Sequence, residues 1–187
     1  MGSFYTSHVV RGPSQSQVLS WLKDRPAYVS VTQSGTTVLL DAACESQDGE
    51  ELAALAAGLS AQFACPVLAL LNHDDDILYF ELYESGEKTD EYNSSPGYFD
   101  DGDPEAGPSG GDAARLASVF GVTDSVRIEA ALRNPDYVFA MERHRDLAAA
   151  LGLPEFSVGL GYTYAEAGEF PPGTPPDAYT HSGAREG

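Results

Sequence analysis

Residues 67–71 read VLALL, five apolar side chains in a row. Successive side chains of a strand point to opposite faces, so this run predicts a strand covered on both faces or held in the middle of a sheet. The next run, ILYFELYE (77–84), alternates instead: Leu78, Phe80 and Leu82 share one side and Tyr79, Glu81 and Tyr83 the other. The first set reads as core and the second as accessible. Between the two runs stand Asn72, His73, Asp74, Asp75 and Asp76. Asn and Asp tolerate left-handed backbone and bond their own main chain, so the segment suits a turn without any chemical purpose.

Upstream, FYTSHVV (4–10), AYVSV (27–31) and TTVLL (36–40) have strand composition, the last two forming a hairpin across a polar loop with Gly35. Val18, Leu19 and Leu22 share a helical face after Ser14 or Ser16, and Leu52, Leu55, Ala56 and Leu59 repeat at helical spacing between Asp48 and Pro66. Residues 4–71 therefore run β-α-β-β-α-β, the split βαβ order, which lays two helices on one face of an antiparallel sheet. With the strands at 77–84 and 88–94, residues 1–94 form an α+β core. Residues 95–111 turn to Pro, Gly, Asp and Ser and read as an acidic surface loop. Residues 112–170 hold helices at 111–121, 124–134 and 136–154, with Val138, Met141, His144, Leu147 and Leu151 on one stripe of the last, and a final strand at 156–164 packed on the same core. Residues 171–187 have the composition of a disordered tail.

The formal charge of −19 is uneven: residues 74–112 hold thirteen acids against Lys88 alone. Such a field repels phosphate backbones and anionic lipid, which argues against nucleic-acid and membrane partners, and it attracts a basic protein or divalent cations. Keeping the chain soluble would account for the same acids. No apolar run approaches the length of a membrane span, and no basic-then-apolar leader marks secretion, so a cytoplasmic location with Cys44 and Cys65 reduced is expected. Met1-Gly2 with Thr6 fits an acylation pattern, but residues 4–10 read as a strand and no basic cluster supplies the second anchoring signal.

Familiar catalytic motifs fail on inspection. HRDL (144–147) opens like a kinase catalytic loop, yet Leu151 stands where a magnesium-binding Asn belongs; Gly159-Leu160-Gly161 lacks the third glycine of a dinucleotide fingerprint. No catalytic residue and no cofactor is expected. Asp100, Asp101, Asp103 and Glu105 offer oxygen ligands for a weak calcium site, though Ala106 and Pro104 break the EF-hand pattern.

GGDAARLASVFG, ERHRDLAAALGLPEFSVGLGYTYAEAGEF, LLNHDDD and DEYNSSPGYF resemble phrases in a group of bacterial hypothetical proteins of similar length. The resemblance implies a bacterial cytosolic origin and assigns neither substrate nor catalytic residue. Two functions follow from the residues. One is a non-catalytic interaction protein, for instance an immunity protein or antitoxin, meeting a basic partner through Asp74, Asp75, Asp76, Tyr79, Glu81, Tyr83, Tyr92, Tyr98, Phe99, Asp100, Asp101 and Asp103. The other is a small-molecule binder or enzyme with a pocket between the sheet and the C-terminal helices, using His73, His144, Tyr162 and Tyr164.

Overall fold

The fold comes from a computed structural model that describes residues 2–98 and 106–183. In chain order it contains β1 (Tyr5–Arg11), α1 (Gln15–Leu22), β2 (Ala27–Ser30), β3 (Thr36–Asp41), α2 (Gly49–Phe63), β4 (Pro66–His73), β5 (Ile77–Glu84), β6 (Glu87–Asn93), β7 (Ser109–Gly110), α3 (Ala113–Phe120), α4 (Ser125–Arg133), α5 (Ala140–Leu151), α6 (Tyr162–Glu166) and β8 (Tyr179–His181). The strands form one antiparallel sheet in the order β7-β6-β5-β4-β1-β3-β2-β8. Its centre, β4-β1-β3-β2, is the split βαβ arrangement, and the protein is α+β.

The strand at 67–71 is covered on both faces. Val67 and Ala69 pack with Val18 and Leu22 of α1 and Leu52, Leu55 and Leu59 of α2. Leu68 and Leu70 face the other way, where Leu116, Phe120, Ile128, Leu132, Leu147 and Leu151 of α3, α4 and α5 close over Leu78, Phe80 and Leu82. Burying each such side chain contributes on the order of 1.5–3 kcal/mol, which is why two apolar faces recruit helices from both ends of the chain.

Local signals start and stop these helices. Ser14 and Gln17 form a capping box at α1, while the Asp48, Asp112 and Asp124 carboxylates accept amides at the starts of α2, α3 and α4. Gly121 and Gly152 end α3 and α5 in left-handed backbone.

Two expectations are corrected. Residues 156–164 form no strand: Glu155–Ser157 is a 3₁₀ turn, Gly159 is left-handed at φ +75°, and α6 begins at Tyr162. Phe156, Val158 and Leu160 keep the alternation of a strand but use it to plug the protein's interior. The last strand lies instead within the segment whose composition reads as disordered. Tyr179–His181 pairs with β2 because Ala178 is buried and the Tyr179 ring packs on Phe156 and Phe170. These anchors outweigh the proline and glycine around them.

Candidate functional site

The turn from β4 to β5 carries left-handed backbone at Asp74 (φ +51°) and Asp75 (φ +62°). Asp75 is only 8% exposed and works as a clamp. Its amide donates to the Ser3 carbonyl and the Asn72 side-chain oxygen, its carbonyl accepts the Ala140 amide at 2.7 Å, and its carboxylate accepts the Met141 amide at 2.8 Å. The first two amides of α5 are thus capped from the β4–β5 turn, since Phe139 at the cap position has no side-chain acceptor. Asn72 extends the network by donating to Asp75 and to the Tyr5 hydroxyl, and that hydroxyl lies 2.7 Å from His144 Nδ1.

Around this buried clamp lies an exposed surface. Asp74 accepts the Gly2 amide and Asp76 accepts the Tyr98 hydroxyl at 3.1 Å. His73 meets the Phe4 ring edge-on at 5.0 Å and the Tyr98 ring at 6.0 Å between centroids. Gln47 donates to the Asn72 carbonyl, which turns its side-chain oxygen toward His73 Nδ1 at 2.6 Å. Val138 and Phe139 immediately precede the amides that Asp75 holds, so they reach the surface beside the same turn. Of the six large apolar side chains exposed among the described residues, four belong here: Phe4, Tyr98, Val138 and Phe139. Single exposed apolar residues are ordinary, whereas a cluster marks a contact surface.

Several residues expected on the interaction surface are not on it. Tyr79, Glu81 and Tyr83 sit beneath α2, half-buried in the first case and buried in the others. There the Glu81 carboxylate accepts both tyrosine hydroxyls at 2.7 Å and Lys88 at 3.1 Å. Burial pushes its pKa up, but these three donors and the Lys88 charge outweigh that and hold it below the usual range. The alternation identifies the two sides correctly; a second helical layer makes both of them interior. Tyr92 is fully buried, stacked on Phe80, with its hydroxyl donating to the Leu132 carbonyl. Val138 precedes α5 rather than riding on its stripe, because the helix starts at Ala140.

The acidic tract is also divided. The His73–Asp76 turn and Glu84 lie at opposite ends of β5, on the order of 25 Å apart for eight strand residues. Glu84 pairs with Arg115, Asp90 accepts the Asp112 amide, and Asp112 caps α3. Phe99, Asp100, Asp101, Asp103 and Glu105 lie outside the described residues. Among the described residues, no group of three or more His, Cys, Asp or Glu side chains is arranged to hold a metal ion.

The four pocket candidates do not converge. His144 is sealed between α5 and β1, stacked on Tyr5, and burial lowers its pKa to about 4, with a smaller push from the Arg145 charge. His73 is at the surface turn. The Tyr162 ring packs on Tyr28 near the β2–β8 edge, and the Tyr164 hydroxyl accepts the Phe4 amide at 3.4 Å. Glu45 holds the start of α6 by accepting the Tyr162 and Thr163 amides. Both cysteines are buried, which raises Cys44 to about 12 and Cys65 to about 11 and leaves neither thiol nucleophilic at neutral pH.

The clamp at Asp75 and the apolar pair at Val138 and Phe139 are the features that strand and helix patterns miss. Their trace in the sequence is the absence of a Ser, Thr, Asn or Asp directly before Ala140, a helix start that needs a cap from elsewhere. No family model, curated protein sequence or solved structure matches the chain. Among the described residues, no helix is long and apolar enough to cross a membrane.

Proposed function

We propose that this chain is a non-catalytic binding protein that captures a basic protein partner on the end of the sheet formed by Phe4, His73, Asp74, Asp76, Tyr98, Val138 and Phe139. The observation that carries the reading is the gathering of four of the six exposed large apolar side chains around a turn bearing two surface carboxylates. Exposed rings supply contact area at low entropic cost, carboxylates beside them select lysine and arginine, and the net charge of −19 accelerates encounter. The Asp75 clamp supports the reading by holding the turn, the N-terminal strand and the start of α5 in fixed relation, so the surface is pre-organised. An immunity or antitoxin role in a bacterial cytosol, neutralising a basic toxin, is one concrete form of this function.

The test is titration with an arginine-rich peptide at rising salt, repeated with Phe139→Ala and with Asp76→Asn. Binding should weaken as salt screens the carboxylates over about 8 Å, and each substitution should lower affinity by about tenfold while leaving the melting temperature near that of the parent. Binding indifferent to both substitutions would remove this surface from consideration.

A further inference from the structure

We propose that the cleft between α5 and the Pro171–Pro172 segment is a binding site for a small monocarboxylate with an apolar body. The cleft measures about 510 Å³, within the range of small-molecule sites. None of its lining residues belongs to the face assigned to the protein partner, and the Arg145 guanidinium gives it a point of attachment for an anionic group.

Its chemistry follows from the sequence of α5 and what comes after it. Arg145, Ala148 and Ala149 are spaced one turn apart, so they share a side of the helix. The two alanines are too small to fill the space before the returning chain, and that leaves the groove. Leu153 and Val158, only 8% and 7% exposed, give it an apolar lining. Pro171 and Pro172 form the far wall, which has restricted backbone and no amide hydrogen requiring a partner.

The polar groups are few and unequal in availability. Arg145 is exposed and makes no side-chain hydrogen bond or ion pair among the described residues, in a chain carrying 29 acids. Its planar guanidinium matches a carboxylate with two parallel bonds. Asp146 also borders the cleft, but its carboxylate already accepts the Tyr137 hydroxyl at 2.6 Å. Glu155 stands at the rim with its carboxylate unpartnered among the described residues. Two carboxylates beside one guanidinium disfavour phosphate and dicarboxylates and tolerate a single negative charge. An ammonium group on the same ligand would face Glu155, so both simple carboxylic acids and apolar amino acids belong to the class.

Thermal shift and amide NMR on the full chain test this with four probes: 4-methylpentanoate, L-leucine, leucinamide and inorganic phosphate. The two carboxylates should raise the melting temperature in step with occupancy and shift the amide signals of Ala148, Leu153 and Val158. Leucinamide, which lacks the carboxylate, and phosphate should do neither. Stronger binding of L-leucine would identify the amino-acid source, and stronger binding of 4-methylpentanoate the simple acid. Arg145→Gln should weaken the preferred carboxylate by about tenfold and, because the side chain is exposed and unpaired among the described residues, should melt like the parent. Absence of any carboxylate effect, an equal effect of leucinamide, or retention of full affinity in Arg145→Gln would overturn the proposal. None of these residues lies at the His73–Asp76 surface, so the result is independent of partner capture.

Discussion

The α1–α2 face and the α3–α5 face of the sheet each hide a histidine against or beside β1, but they are assembled over different distances in the chain. His8 Nε2 lies 3.0 Å from the Leu52 carbonyl, a contact spanning 44 residues, whereas His144 reaches Tyr5 across 139. The first face is laid down by the split βαβ order itself, and it encloses polar side chains: His8, Asp41 with its Arg25 partner, and Glu81 between two tyrosines. The second encloses a mainly apolar core in which buried Arg143 and Tyr92 donate to backbone carbonyls around Leu132, and at one end Tyr5, Asn72, Asp75 and His144 join three separate segments. A short-range cover can close over polar residues because their partners arrive with it. A long-range cover depends on apolar burial for its strength and on a few specific bonds for its position.

Acid should break the two faces together, and this is the largest expected effect. Burial lowers both His8 and His144 to about 4, from 6.5 in an unfolded chain, because a charged imidazole is disfavoured away from water. The unfolded chain therefore binds more protons between these values. Stability is complete above pH 6.5 and falls toward pH 4 by about 1.4 kcal/mol per pH unit for each histidine. Urea denaturation between pH 6.5 and 5 reads this slope before the carboxylates held low, Asp41 and Glu81, add their own loss at lower pH. His144→Phe should remove about half of the slope even though it lowers stability at neutral pH. An unchanged slope would mean that the α5 face admits water to His144.

The next effect tests the polar interior of the first face. Glu81→Gln leaves an amide among two tyrosine hydroxyls and Lys88, and should destabilise the fold by about 1–3 kcal/mol without altering capture of a basic peptide. Reduced capture with unchanged stability would return Glu81 to the surface. The smallest effect sharpens the role of the junction on the second face. Asp75→Ala removes the carboxylate cap of α5 and should cost about 1 kcal/mol, with faster hydrogen exchange confined to the Met141 amide and the first turn of α5. Exchange that speeds up equally in α2 would show that the clamp supports the whole protein rather than one joint.

Much of the architecture is legible in local pattern. Alternation in ILYFELYE, the unbroken run VLALL, and helical spacing after Ser14 and Asp48 place the split βαβ order, since a strand or helix with one apolar face has few ways to bury it. The candidate surface is legible only in part. Asp74 and Asp76 lie on the turn that its composition suggests, beside His73, which the sequence offers only as a pocket residue, and Tyr98 reaches Asp76 from the loop that follows β6, but Glu81, Tyr83 and Tyr92 are interior. A period of two states which residues share a side and is silent about what covers that side. Val138 and Phe139 escape notice because a helical stripe extended backward from Met141 includes the first of them, and only the true start of α5 at Ala140 excludes it.

By itself, then, the order of residues determined the split βαβ elements and the caps of α1 to α4, because these depend on contacts among near neighbours. Tertiary structure decided that Asp75 caps a helix more than sixty residues away, that Tyr179 recovers a strand from a proline-rich segment, and that Arg145 faces a cleft. Each of these rests on which distant segment closes over a given side chain, a matter of packing between layers that local periodicity does not encode.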